Sequence, residues 1–527
     1  MRRPTPDATA LLGASAVGVA SVAAVWTRAG RGIQPYGTHG AAWIEHAERL
    51  AFVQAWRQRS DLGLRAWMDE VDGLFPPALH AITSLWGALA GHAAEDVVGT
   101  GALWLLLLAM AVASATRSLG GGVLAACIAF SGTCLLPAAQ AFASRYYYDL
   151  PMTALLWVGV AAALRHWDDR PVRGGLLVGL LWAGADLVKW AALPFGGLLL
   201  LAVVLVPADG RRWRARALGL GLATAVSVGI SATWISLAGG ESSLAVMLDQ
   251  MWGGAGGGAG SVGAMVSGLG QWVADKGLFL GTRLRADRLG FYALGWFTVV
   301  FSPLLGLAVL ALAARGGRRA LVFALAVPTL LVGFLVLWIP VLDERFLLTA
   351  APALLPAAAM GLHRLPGRTG RPLALALLFA AFWVNGAFAG LLPDLPGPQR
   401  EGSSTSTSVA GLGLADSAER RGWSHVRRTP DPQPALREAI WAAIEAAAPR
   451  SLALPPGPQE ASPAGEFHWL DYRALLAEAA GGPPALDFEE QCVDGVDAVL
   501  SSAPRGGTPD CAPGSLREAA RWPAGDE

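Results

Sequence analysis

Long apolar stretches separated by short polar turns occupy most of the first 391 residues. They recur in windows of about 20 residues, the length at which an α-helix crosses the hydrocarbon core of a bilayer. The pattern predicts an all-α polytopic membrane protein with about 11 transmembrane helices. The predicted helices lie at residues 8–26, 97–116, 120–141, 149–165, 174–189, 191–207, 217–237, 291–314, 320–341, 346–363 and 372–391.

The stretch at 174–207 decides this count. As one helix it would extend about 50 Å, which is too long for a single crossing of a core about 30 Å thick. Asp186, Lys189 and Pro194 interrupt the stretch, and proline breaks a helix interior because it lacks an N–H and clashes with the preceding turn. We therefore predict two short crossings here.

Composition agrees with a membrane protein. Hydrophobic residues make up 54% of the 527 residues, mean hydropathy is +0.44, and charged residues make up 15%, against about 25% in soluble domains. The net charge is zero, so no global field favours nucleic acid as a partner. Nearly all basic residues are arginine, which is typical of a GC-rich bacterial genome.

Basic residues concentrate in alternate polar turns, and the positive-inside rule assigns those turns to the cytoplasm. This assignment predicts a bacterial cytoplasmic membrane protein whose N-terminus is cytoplasmic and whose C-terminus is extracytoplasmic. Residues 8–26 are longer than the apolar region of a signal peptide and show no clear cleavage site, so we predict an uncleaved first helix. The turns assigned to the cytoplasm carry Arg2, Arg3, Arg117, Arg165, Arg170, Arg173, Arg211, Arg212, Arg214, Arg216, Arg315, Arg318, Arg319, Arg364, Arg368 and Arg371.

Two domains follow from this organisation. Residues 1–391 form the predicted transmembrane domain, with a long first outer loop at 27–96 and a second outer loop at 238–290. A linker rich in Pro, Gly, Ser and Thr at 392–410 precedes an extracytoplasmic domain at 411–527.

The C-terminal domain alternates two kinds of segment. SLALPP and DAVLSS indicate strands, whereas ALREAIWAAIEAAA and DYRALLAEAA indicate helices. The alternation predicts a small α/β domain. Cys492 and Cys511 lie in it, and outside the cytoplasm they could form a disulfide or remain free thiols.

The first candidate site is a carboxylate at the mouth of an apolar helix. Arg145 and Tyr147 precede Asp149, which opens the predicted helix at 149–165. An ionisable residue in a membrane helix is costly to keep and marks a functional site by default, so these residues are candidates for contact with a polar head group. The alternative is a belt of interfacial aromatic residues with an Arg–Asp helix cap.

A second candidate site lies at the end of the first outer loop. Asp69, Glu70 and Asp72 come just before Phe75-Pro76-Pro77, where the chain must turn into an apolar helix. Clustered carboxylates can act as a general base or hold a divalent cation. The alternative is a set of acidic residues that only form the turn.

Two basic residues complete the candidates. Arg345 enters the helix at 346–363 from outside, where its guanidinium suits a phosphate, although Asp343 and Glu344 beside it are also typical of helix caps. Lys189 follows Asp186 by three residues. The two charges could neutralise each other, or the ammonium could lie near the site.

Several familiar signals are absent from the sequence. GGAGGGAG at 253–260 lacks the GK[ST] ending of a phosphate-binding loop, no HExxH or other metal spacing occurs, and no GxSxG is present. The sequence therefore names no certain cofactor, and a divalent cation at the carboxylates stays open.

The order of these motifs resembles that of a known family. A long outer loop with carboxylates leads to FPPALHAITSLWGALAG, then RYYYDLP opens a helix, followed by GLLVGLLWAGADLVKWAALPF and DERFLLTAAPALLPAAAMGL. This is similar to the bacterial GT-C membrane glycosyltransferases, which include protein O-mannosyltransferases, aminoarabinose transferases and galacturonosyltransferases. The resemblance covers roughly residues 8–391 and rests on motif order and topology.

The resemblance implies a reaction and its residues. The implied donor is a sugar linked to a polyprenyl phosphate, and membrane lipid is a further implied partner. The implied acceptor is a lipid, glycan or protein at the outer face. The family's usual Asp-Glu pair after the first helix is missing from YGTHGAAWIEH, so the general base falls to Asp72, Asp69 or Glu45. Asp149 orients the acceptor or a metal. The leaving phosphate is met by Arg345, Lys189 and one of Arg283, Arg285 or Arg288.

Two other functions compete with this one. A transporter or flippase would use intramembrane charges such as Asp186, but it predicts paired repeats that the two halves do not show. A non-catalytic envelope scaffold with the same fold would explain the missing Asp-Glu pair. The concentration of ionisable residues at one face favours the enzyme.

Overall fold

A computed structural model of the chain describes residues 6–29, 78–91, 94–143, 148–208, 210–237, 317–338, 344–363, 451–453, 487–489 and 498–499. The chain divides into two compact units. The first comprises Met1–Gly30, Asp72–Leu79 and Ala94–Arg428, and the second comprises Arg31–Val71, His80–Ala93 and Thr429–Glu527.

The described part of the first unit is helical. Its 3-10 helices at Glu344–Thr349 and Ala351–Ala353 precede the last α-helix. The α-helices are α1 (Pro6–Ala29), α2 (Ala78–Ala90, which continues into the second unit), α3 (Ala94–Ser118), α4 (Val123–Cys134), α5 (Pro137–Ala143), α6 (Asp149–His166), α7 (Pro171–Asp186), α8 (Ala192–Leu205), α9 (Gly210–Leu237), α10 (Arg318–Trp338) and α11 (Leu354–His363).

Helices therefore lie at each predicted span that the structure describes. Four of them are long and apolar enough to cross a membrane, at Asp7–Trp26, Gly99–Ser118, Gly210–Trp234 and Arg318–Leu335. The spans predicted at 291–314 and 372–391 fall outside the described ranges, so the total of eleven stays a prediction. The membrane-protein character is supported by these helices.

Two predicted spans are not single α-helices. The span at 120–141 is broken between α4 and α5, because Pro137 cannot donate the backbone bond that would continue α4. The Gln140 side chain instead donates to the Cys134 carbonyl oxygen at 2.6 Å. The span at 346–363 starts as two 3-10 helices before α11, and Pro352 lies in the second of them.

The split of the stretch at 174–207 is confirmed as two separate helices, α7 and α8. The Trp182 indole donates to the Ala192 carbonyl oxygen at 2.9 Å across the connecting turn. Helix α7 also packs closely on α9. A Cβ atom added at Gly179 would lie 2.6 Å from the Cβ atom of Val226, and such close approach of small residues is how helices associate in lipid.

The second unit contains a parallel three-stranded sheet of order β2-β1-β3, made by β1 (Ser451–Ala453), β2 (Asp487–Glu489) and β3 (Ala498–Val499). Strands β1 and β3 lie in segments predicted as strands, and β2 was not predicted. The helices predicted between them, with Cys492 and Cys511, lie outside the described residues. The α/β domain and the boundaries at 391 and 411 stay predictions.

Candidate functional site

A buried ion pair joins α6 to the turn between α7 and α8. Asp149 is the first residue of α6 and is 1% exposed, and Lys189 lies in the turn and is 6% exposed. The Lys189 ammonium donates to both carboxylate oxygens of Asp149, at 3.0 and 2.8 Å. Two residues that the sequence singled out separately, 40 positions apart, are therefore in direct contact.

The physical chemistry of this pair is unusual for a purely structural contact. Removing two charges from water costs several kcal/mol per ion, and their attraction often only offsets that cost. An apolar pair of similar volume is often as stable or more stable. Asp149 and Lys189 therefore remain candidates for a chemical role.

An aromatic ring lies beside the Lys189 ammonium. The Lys189 Nζ lies 5.8 Å from the centroid of the Phe346 ring, within cation–π range. Phe346 packs edge-on against Phe195 of α8, with ring centroids 6.1 Å apart. Phe346 belongs to the 3-10 helix Glu344–Thr349, so the backbone of Arg345 lies beside this site, while the Arg345 side chain is outside the description.

Polar contacts hold that 3-10 helix against α6. The hydroxyl groups of Thr153 and Thr349 lie 3.1 Å apart, and the Trp157 indole donates to the Thr349 carbonyl oxygen at 3.0 Å. Both contacts are buried. They fix the 344–349 segment next to the helix that begins with Asp149.

The end of the first outer loop meets the same turn. The Ala78 backbone N–H donates to the Leu187 carbonyl oxygen at 3.0 Å. Ala78 directly follows Phe75-Pro76-Pro77, which lies outside the described ranges. The first residue of α2, Ala78, therefore contacts the α7–α8 turn two positions before Lys189.

Asp186 does not pair with Lys189. Its Oδ2 atom accepts hydrogen bonds from the hydroxyl groups of Ser227 and Ser231, the latter at 3.1 Å. Both serines belong to α9 and are buried. Of the alternatives raised by the sequence, the ammonium near the site is the one that the geometry supports.

The remaining candidates cannot be placed. They lie in parts of the chain that the structure does not describe, so their roles stay predictions. They are Glu45, Asp69, Asp72, Arg145, Tyr147, Arg283, Arg285 and Arg288.

A divalent cation finds no ligand set in the described part of the chain. No group of three or more His, Cys, Asp or Glu side chains that could hold a metal ion occurs there. Asp149, the candidate for orienting a metal, directs both oxygens at Lys189. The first-loop carboxylates lie outside the described residues, so a divalent cation there stays an expectation from the sequence.

Four polar partners were not predicted from the sequence: Ser227, Ser231, Thr153 and Thr349. The two serines are four residues apart and share one face of α9, which is the available sequence signal for the Asp186 contact. Single threonines within apolar runs carry no such signal. Their pairing depends on a contact between residues 196 positions apart.

Comparison with solved structures finds membrane glycosyltransferases. Apo ArnT from Cupriavidus metallidurans matches with a TM-score of 0.52 and 18% identity, over 90% of this chain and 86% of ArnT. ArnT bound to undecaprenyl phosphate gives 0.49 and 18%, with 90% of each chain covered. The apo oligosaccharyltransferase of Archaeoglobus fulgidus gives 0.48 and 12%, over 91% of this chain and 64% of its own. No protein-family model and no curated protein sequence matches the chain.

The match to apo ArnT, an aminoarabinose transferase, extends over most of both chains. At 18% identity it establishes the fold. The chain has the fold of the GT-C membrane glycosyltransferases, and the resemblance read from its motif order is confirmed at that level.

Proposed function

We propose that the protein is an integral membrane glycosyltransferase that moves a sugar from a polyprenyl-phosphate donor to an acceptor at the outer face of the cytoplasmic membrane. The observation that carries the proposal is the buried Asp149–Lys189 pair, placed beside the 344–349 segment and the end of the first outer loop. The fold shared with ArnT supports it.

The same two observations, the buried pair and the shared fold, support the proposed donor class. A polyprenyl-phosphate sugar keeps its lipid tail among apolar helices and its phosphate near the helix ends. A lysine ammonium and neighbouring arginines are the usual partners of a phosphate. ArnT has also been solved with undecaprenyl phosphate bound, which is the same chemical class of lipid.

In the proposed reaction a first-loop carboxylate, Asp72, Asp69 or Glu45, takes the proton from the acceptor hydroxyl group. The acceptor oxygen then forms a bond to the anomeric carbon. The bond between that carbon and the phosphate oxygen breaks, and the electron pair leaves with the lipid phosphate. Attack opposite the leaving group inverts the anomeric configuration.

The cations act on the leaving group. Charge develops on the phosphate oxygen as its bond to the sugar breaks, and fixed positive groups in a dry site stabilise that charge strongly. Lys189 is the cation that the geometry supports best, with Arg345 on the adjacent 3-10 helix and Arg283, Arg285 or Arg288 from the second outer loop. Asp149 holds the ammonium in position until the phosphate arrives.

The test is transfer of label from radiolabelled lipid-linked sugars in membranes that contain the full chain. Label should reach an acceptor with the wild-type protein and should be lost with Asp72→Asn if Asp72 is the base. Lys189→Met should lower the rate by at least two orders of magnitude, the usual effect of removing one transition-state hydrogen-bond donor.

A double variant separates chemistry from stability. Asp149→Leu with Lys189→Met replaces the buried pair by apolar groups, which often preserves stability. The proposal expects this variant to fold and to transfer no sugar, while Arg173→Gln, an exposed arginine at the other helix end, keeps full activity. Wild-type transfer by the double variant would overturn the proposed site.

A further inference from the structure

The end of the helix bundle opposite the Asp149–Lys189 pair is strongly basic. Helix α6 has 18 residues, so its far end lies about 27 Å from Asp149 at 1.5 Å per residue. Asp168 follows that end. The first turns of α9 and α10 meet there and supply arginines, and the positive-inside rule assigns this end to the cytoplasmic leaflet.

The buried charge of Arg216 is balanced by the Asp168 carboxylate. It is 2% exposed, and its guanidinium donates to both carboxylate oxygens of Asp168, at 2.5 and 2.9 Å. It also donates to the Val206 carbonyl oxygen at 2.6 Å. Arg216 therefore occupies both carboxylate oxygens of Asp168.

The Arg319 guanidinium makes a longer contact with the same carboxylate. Its Nη2 atom lies 3.9 Å from Asp168 Oδ2, and its Nε atom is buried without a hydrogen-bond partner among the described residues. Its other electrostatic neighbours are Arg216 and Arg212, which are both positive. Two guanidinium groups, of Arg216 and Arg319, thus share one carboxylate, and the Arg319 side chain is 36% exposed to an incoming anion.

The rim of this basic cluster fits a membrane surface. Trp213, next to Arg212 on α9, is 54% exposed, and tryptophan prefers the head-group level of a bilayer. Asp169 is an exposed acidic residue at this end. Other exposed arginines lie at the same end of the helices, without a contact to Asp168 or Arg319 in the described residues: Arg165, Arg170, Arg173, Arg211, Arg214 and Arg318.

We propose that Arg319, near the arginines that open α9, binds the phosphate group of an anionic phospholipid in the cytoplasmic leaflet. The guanidinium fork matches phosphate oxygens in pairs, and basic pockets between helices on this side of a membrane suit anionic head groups. The excess positive charge is the complement of such a head group. The inference stands apart from the proposed enzymatic function, which uses the other end of the bundle.

The experiment is native mass spectrometry of the delipidated full chain, released from detergent micelles and titrated with one lipid at a time. Phosphatidylglycerol is the anionic probe, phosphatidylcholine is the zwitterionic control, and inorganic phosphate tests a free anion. We expect phosphatidylglycerol to bind at least about tenfold more tightly than either control, a difference of roughly 1.4 kcal/mol at 25 °C.

The variants locate the site. Arg319→Gln should lower the affinity for phosphatidylglycerol about tenfold, and Arg319→Lys, which keeps the charge but loses the Nε–H group, should lower it by less. The matched control is Arg173→Gln, which removes an exposed arginine at the same end and should change the affinity less than twofold. Size-exclusion chromatography checks that each variant is folded.

Three results would overturn the inference. They are equal binding of phosphatidylglycerol and phosphatidylcholine, equal losses for Arg319→Gln and Arg173→Gln, and binding of inorganic phosphate that matches or exceeds that of phosphatidylglycerol. If Arg319→Gln does not fold, the comparison of Arg319→Lys with Arg173→Gln decides in the same way.

Discussion

The two ends of the same helix bundle both bury charge, but they balance it differently. At the predicted outer end one ammonium meets one carboxylate, and both groups are less than 10% exposed. At the predicted inner end Arg216 and Arg319 share Asp168, which is 15% exposed. The buried and neutral pair is shielded from solvent, so only a ligand that enters the site can separate its two charges. The partly exposed cluster has excess positive charge, so it attracts an anion from the surroundings.

The largest expected effect is the loss of one partner of the outer pair. Lys189→Met leaves the Asp149 carboxylate buried without a cation, so the free energy of unfolding should fall by about 3–5 kcal/mol. Equilibrium unfolding in mixed detergent micelles measures it. The double variant Asp149→Leu with Lys189→Met should recover most of the loss, and equal losses in the single and double variants would show that charge balance does not govern this end.

Loss of the corresponding residue at the inner end, Arg216, should lower the free energy of unfolding by a smaller amount. Arg216→Met removes hydrogen bonds to a charged group and to a carbonyl oxygen, which should lower the free energy of unfolding by about 3 kcal/mol or less. The cost is limited because Asp168 keeps Arg319 nearby and is partly exposed. Arg216→Lys is the control, since it keeps the charge without the fork. A loss larger than that of Lys189→Met would reverse the comparison.

The third test concerns the close packing of α7 on α9, between the two ends of the bundle. A Cβ atom at Gly179 of α7 would lie 2.6 Å from Val226 Cβ and 2.9 Å from the Ala223 carbonyl oxygen. Gly179→Ala should therefore cost about 1–2 kcal/mol through overpacking. Gly221→Ala meets no atom within 4 Å and should stabilise slightly through helix propensity. Thermal unfolding of both variants gives the sign, and equal shifts would show that α7 and α9 separate easily.

The smallest expected loss of stability comes from the hydrogen bonds to Asp186, the second carboxylate at the outer end. Ser227→Ala removes one hydroxyl donor from Asp186, while Ser231 remains, so the loss should be about 1 kcal/mol. Thr133→Val is the control, because that buried hydroxyl donates within its own helix to Ala129. Comparison of the two unfolding midpoints checks the prediction. An unchanged midpoint for Ser227→Ala would mean that Asp186 does not depend on α9.

Much of the helical fold was readable from the sequence, because membrane helices must be long, apolar and internally hydrogen-bonded. The break at Pro137 was missed, although proline supplies the reason, since an apolar run continues on both sides of it. The 3-10 start at 344–349 was missed as well. Hydropathy records the length of an apolar segment and is insensitive to how its backbone is wound.

The sequence by itself determined which residues are candidates: Asp149 and Lys189 stand out because charges are rare and costly in apolar helices. It could not decide their partners. Lys189 lies three residues from Asp186 and 40 residues from Asp149, yet the tertiary structure selects Asp149 and gives Asp186 to two serines of α9. Side-chain pairing depends on how α6, α7 and α9 pack in space, and that packing sums many weak contacts that no local spacing records.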